Sequence, residues 1–125
     1  MIRVIRTFMI LEAGAFLAAA SIHFGLWMEG YGHQKAGIAE SVIGTVLLAG
    51  LSATWIRPGS TRGFGLAGQG FALLGTLVGI FTIAIGVGPR TVPDVVYHIV
   101  MVIGLVCALL VTSRWRPGAG VSDSR

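Results

Sequence analysis

Four long apolar runs, separated by short polar connectors, set the organisation of this chain. Residues 7–28, 36–56, 64–87 and 92–112 each reach the length of about 20 residues that a helix needs to cross a bilayer core. Transmembrane strands would show alternating segments of about 10 residues, whereas these runs are continuously apolar. The pattern predicts an all-α integral membrane four-helix bundle occupying residues 1–125 as a single transmembrane domain, with 113–125 as a short tail. The connectors leave no room for a soluble domain, so any chemistry belongs to the bundle or its loops.

Composition agrees: 54% of the residues are hydrophobic and 11% charged, and mean hydropathy is +0.84, outside the soluble range. Basic residues orient the spans. Arg3 and Arg6 precede the first, Arg57 and Arg62 separate the second from the third, and Arg114, Arg116 and Arg125 follow the fourth; only Lys35 and Arg90 occupy the other two connectors. The positive-inside rule therefore predicts cytoplasmic termini, in a membrane of the bacterial inner type. The net charge of +4 follows from that topology, with anionic lipid as a natural contact. Basic residues scattered among separate loops do not form a nucleic-acid surface.

The first span has a rival reading as a cleavable signal peptide, with a basic start and Ala18, Ala19 and Ala20 as a small-residue cleavage site. Glu12 interrupts the apolar region and hydrophobicity runs on to Met28, which favours a retained span. The single cysteine, Cys107, lies inside the fourth span and has no partner for an internal disulfide.

Candidate chemistry comes from ionisable residues placed where lipid would surround a helix: Glu12, His23, Glu40 and His98. A charge there is costly unless it is paired, neutralised or wetted, which makes such positions functional candidates. At a rise of about 1.5 Å per residue, His23, Glu40 and His98 fall roughly 6 to 9 Å below the outer boundary, one on each of three helices. They form a candidate metal or haem site, because imidazole and carboxylate suit several transition metals and paired histidines suit haem iron. Glu29, His33 and Asp94 would surround it or stand at its mouth. Asp94 also fits an N-terminal cap with Thr91 and Pro93, and it precedes His98 by one helical turn.

Glu12 lies about 16 Å deeper than His23. Gln69 sits at the matching depth of the third span, giving an inner polar layer in which a carboxyl without a cation favours its neutral form. Gly14, Ala18, Ser21 and Gly25 make a small-residue stripe on the first span. Gly68, Ala72, Gly75, Gly79 and Gly86 make another on the third, and such stripes serve close helix packing. Arg57-Pro58-Gly59 recurs as Arg116-Pro117-Gly118, and one half slid onto the other brings Glu12 near Gln69 and Glu40 near His98. Two related helical hairpins would give this echo, as would ordinary aromatic and basic anchors at helix ends.

Three functions are consistent with the sequence. The first is a metal- or haem-binding protein supporting redox or Lewis-acid chemistry, as a subunit of a larger membrane complex. The second is a proton-coupled small-molecule or ion transporter working as a homo-oligomer, with Glu12 as its exchanging acid. The third is a non-catalytic packing subunit.

Overall fold

The computed structural model describes residues 1–116. It is an all-helical bundle in chain order: α1 Ile2–His23, α2 Gln34–Ile56, a single 3-10 turn Pro58–Ser60, α3 Thr61–Ala84 and α4 Val92–Arg114. Each of the four helices is long and apolar enough to cross a membrane. Outward-facing positions such as Leu11, Leu74, Val78, Phe81, Val100 and Ile103 stay exposed, as expected of a surface solvated by lipid.

Helix ends are set by local chemistry, and this moves the expected boundaries. α1 stops at His23, although apolar residues continue to Met28, because Gly25 adopts a left-handed φ of 75°. The Gly25 N–H then donates to the Ile22 carbonyl, and Leu26 N–H to that of Ser21. These two bonds close the helix in a Schellman motif. Gly86, at φ 84°, ends α3 in the same way: Gly86 N–H reaches Ile83 O and Val87 N–H reaches Thr82 O. Trp27 and Leu26 are consequently exposed loop residues rather than helical ones. At the other end, α1 begins before Thr7 and carries Arg6 onto α2. There its guanidinium donates to Thr54 Oγ1 at 2.9 Å and to the Thr54 carbonyl at 2.6 Å, and lies 5.3 Å from the Trp55 ring.

α1 packs against α2, α2 against α3 and α3 against α4, while α1 and α4 touch only lightly. Ala13, Phe16, Ile43, Leu47, Ala72, Met101 and Leu105 form the central apolar core. Ile5, Met9 and Leu51 form a second cluster toward the termini. The α3 glycines permit this approach: a Cβ on Gly75 would lie 2.6 Å from Ile43 Cδ1, and one on Gly68 would lie 3.3 Å from Met9 Cε. The α1 stripe behaves differently. Gly14, Ala18 and Gly25 are exposed, and a Cβ on Gly14 or Gly25 would meet no atom within 4 Å among the described residues, so these positions present an open face.

The hairpin echo extends to the buried faces. Glu40, Ile43, Leu47 and Thr54 of α2 match His98, Met101, Leu105 and Thr112 of α4 at one common offset, and all eight are buried. Pro117 and Gly118, the end of the second Arg-Pro-Gly, lie outside the described residues.

Gly25→Ala is expected to lower stability by about 1–2 kcal/mol, the cost of a left-handed L-residue. Gly14→Ala, at an ordinary helical position with open space around it, is expected to be neutral or stabilising by up to about 1 kcal/mol. Thermal unfolding of both variants in detergent micelles checks the contrast.

Candidate functional site

The α1–α2 connector decides which side chains meet. The backbone N–H of His33 donates to the carbonyl of His23 at 2.8 Å, drawing the start of α2 beside the end of α1. The His33 ring then caps α2: its Nδ1 accepts from Ala36 N–H at 3.2 Å, and its Nε2 lies 3.3 Å from the Val87 carbonyl in the α3–α4 connector. Two turns into α2, Glu40 comes level with His23.

At that level His23 bridges two carboxylates from two other helices. Its Nδ1 lies 2.7 Å from Glu40 Oε2, and its Nε2 lies 3.1 Å from Asp94 Oδ1. All three side chains are buried, at 4%, 5% and 7% exposure. Asp94 holds this position while capping α4. Its Oδ2 accepts from the Thr91 backbone N–H and hydroxyl, and Thr91 Oγ1 accepts the Asp94 N–H in return, a complete capping box. Cap and site are therefore two uses of one carboxylate. Pro93, in the first turn of α4, fits that helix start.

The hydrogen-bond inventory of the cluster sets the number of protons its contacts require. Each imidazole–carboxylate contact needs one proton, and carboxylate oxygens supply none of their own when ionised. Two protons are therefore shared among three groups. With those two protons alone, whether the imidazole carries both or a carboxyl carries one, the cluster has one net negative charge, and a third proton on the unpartnered Glu40 oxygen makes it neutral. The two carboxylates are unequally served. Three donors converge on Asp94, whereas Glu40 Oε1 is fully buried without a hydrogen-bond partner. An unsatisfied buried acceptor costs on the order of 1–3 kcal/mol, and more on a charged group, so a proton or a cation placed there relieves the site.

His98 stands next to this cluster without joining it. Its Nδ1 donates to the Asp94 backbone carbonyl at 2.7 Å, which leaves Nε2 as the acceptor. That nitrogen lies against Gly79, where a Cβ would come within 2.7 Å of it. Glu40 and His98 both line a cleft of about 190 Å³ between α2 and α3, walled by Phe16, Ile43, Val78 and Ile83. A second cleft of about 140 Å³, between α1 and α4, is lined by His23, Asp94, Tyr97 and Tyr31. The Glu40–His23–Asp94 cluster thus stands between two clefts, one touching Glu40 and the other touching His23 and Asp94. Tyr97, whose hydroxyl is buried without a partner, lines the second.

The inner layer is equally real. Thr112 Oγ1 donates to Gln69 Oε1 at 2.9 Å, and the Gln69 amide lies beside the Glu12 carboxyl. Gln69 and Thr112 are fully buried and Glu12 is 6% exposed. Neither Glu12 oxygen nor Gln69 Nε2 has a partner of good hydrogen-bond geometry.

Of the residues singled out in the sequence, the structure joins His23 to Glu40, adds Asp94 as a full member and sets His98 beside them. Glu29 is exposed, and His33 lines the α2–α3 cleft. Both ring nitrogens of His23 face carboxylates, and among the described residues no three His, Cys, Asp or Glu side chains are arranged to hold a metal ion. Sequence reasoning did not single out Tyr97 or Thr76. The signal available for Tyr97 was a phenol in an otherwise apolar helix, one residue before His98.

His23→Ala leaves two carboxylates buried together and is expected to cost about 3–5 kcal/mol, the scale for breaking a buried ion pair. Asp94→Ala removes both a cap and an ion-pair partner and is expected to cost a similar amount. The double variant should cost clearly less than the sum of the two. Thermal unfolding of the two single variants and the double variant checks this cycle.

No known protein family, curated protein or solved structure matches the chain.

Proposed function

We propose that this protein is a proton-coupled small-molecule carrier whose exchanging group is the Glu40 carboxyl, held by His23 and Asp94. The observation that carries the reading is that Glu40 lines an apolar cleft with its Oε1 buried and unpartnered while Oε2 is fixed on His23. A third proton on Oε1 makes the cluster neutral, and its loss restores the net negative charge. Because His23 ties α1 to both α2 and α4, a change of charge in the cluster acts directly on the helix contacts beside the two clefts. That is the differential interaction a coupled conformational change requires.

The arginine distribution supports cytoplasmic termini in a bacterial-type inner membrane, with the cluster in the outer half of the bilayer. The exposed Gly14, Ala18 and Gly25 of α1 support a homo-oligomer packed through that face. Glu12, close to Gln69, then stabilises the inner half of the bundle instead of exchanging with solute.

A second reading has one specific observation in its favour. His98 donates Nδ1–H to a backbone carbonyl and directs Nε2 toward a cleft it shares with Glu40, the arrangement that orients histidine for a metal. A metal ion or haem would then use His98 and Glu40, with redox or Lewis-acid chemistry as the function.

Proteoliposomes holding an imposed pH gradient and a trapped pH dye, challenged with a panel of amines, weak acids and metal ions, test the carrier reading. At least one solute should collapse the gradient through the native protein, and the response should vanish in Glu40→Gln and persist in Glu12→Gln. A panel without any protein-dependent response contradicts the carrier. Stoichiometric metal or a haem absorbance band that disappears in His98→Ala would instead establish the second reading.

A further inference from the structure

The α2–α3 cleft has a chemistry that selects its ligand. Apart from the Lys35 ammonium, the side chains lining it that keep an uncommitted polar atom are Glu40, through the buried Oε1, and His98, through Nε2, both acceptors when the imidazole is neutral. The other hydroxyls along its walls are already committed: Thr76 Oγ1 donates to Ala72 O at 2.8 Å and Thr82 Oγ1 to Gly79 O at 2.7 Å. A guest must therefore donate hydrogen bonds. The remaining walls, including Phe16, Ile43, Val78 and Ile83, are apolar, so its body must be apolar too.

Charge narrows the class further. The titratable groups around Glu40 are His23 from α1, Asp94, Tyr97 and His98 from α4, and His33 and Lys35 at the start of α2; α3 contributes no charged side chain to the cleft. Lys35 is exposed at the mouth and forms no ion pair among the described residues, and the Arg90 guanidinium is spent on the Ile83 and Ala84 carbonyls at the end of α3. In its two-proton state the cluster is negative, and among the described residues no Lys or Arg forms an ion pair with it, Lys35 standing only at the mouth.

We propose that the α2–α3 cleft binds a lipophilic primary ammonium ion, its N–H groups on Glu40 Oε1 and His98 Nε2 and its hydrocarbon against the apolar walls. The ammonium and the third proton compete for the same oxygen: each makes the cluster neutral, and both cannot occupy it. Binding therefore expels a proton from Glu40, and proton return expels the ligand. This names the substrate class of the carrier proposed above and rests on that reading only for transport, because equilibrium binding in the absence of a gradient tests the cleft by itself.

The experiment is calorimetric titration of the protein in lipid nanodiscs, with empty discs subtracted, using hexylammonium, hexanol and hexanoate. Hexylammonium should bind about tenfold or more tighter than hexanol, the scale of one charge-assisted hydrogen bond, and hexanoate should not bind. Repeating the titration in buffers of different ionisation enthalpy should show proton release on binding, up to one per ligand. Affinity should fall about tenfold or more in Glu40→Gln and several-fold in His98→Ala. Ala39→Leu, which narrows the cleft without touching the cluster, should also weaken binding at unchanged stability, so the test survives if Glu40→Gln fails to fold. Equal binding of hexylammonium and hexanol, or affinities unaltered by Ala39→Leu and His98→Ala, would overturn the assignment. Ammonium binding without gradient-linked flux would retain the cleft and reject the carrier; flux of other solutes without ammonium binding would do the reverse.

Discussion

One imidazole holds this bundle's loop end together. His23 contacts Glu40 of α2 on one side and Asp94 of α4 on the other, so three of four helices meet at a single side chain. The consequences are partly architectural. Burying two carboxylates in an apolar bundle is tolerable only because each has a donor, and removing the donor leaves charge stranded in a medium that cannot solvate it. The local structure is arranged around that requirement. The left-handed Gly25 ends α1 at His23, the His33 N–H bonded to the His23 carbonyl brings α2 level, and the Thr91 capping box fixes the Asp94 carboxylate.

The polar cluster is asymmetric, and the proposed function rests on that asymmetry. A clasp would satisfy both carboxylates. Here Asp94 is saturated by Thr91 and His23, while Glu40 keeps one oxygen bare beside a cleft. The inner layer shares the burial but borders neither of these two clefts. Gln69 is held by Thr112, Glu12 lies close to its amide, and neither Glu12 nor Gln69 borders the two clefts. Depth along the helices distinguished these layers first, and the two clefts distinguish them again.

Much of this was legible in the chain because membrane-spanning helices are written in run length, and because ionisable residues inside such runs stand out against an apolar background. The shared level of His23, Glu40 and His98 followed from counting along helices. Counting could not say where side chains point. His98 is level with His23, yet its ring turns to the Asp94 carbonyl and to Gly79. Asp94 read from sequence as a cap or a site residue, and its two oxygens divide the tasks. Run length also overran the end of α1, since Leu26 and Trp27 continue the apolar letters beyond the glycine that turns the backbone. The glycine stripes looked alike in sequence; the α3 stripe packs on Ile43, Met9 and His98, whereas the α1 stripe faces outward.

The central claim is that two protons are shared along Glu40, His23 and Asp94, leaving one net negative charge for a third proton or a cation to neutralise. Solid-state NMR of isotopically labelled His23 ring nitrogens, in bilayers, reads it most directly. The account predicts that both nitrogens of the native protein share or carry a proton, and that one becomes a bare lone pair in Asp94→Ala. A native spectrum with one unprotonated, non-hydrogen-bonded ring nitrogen would contradict it.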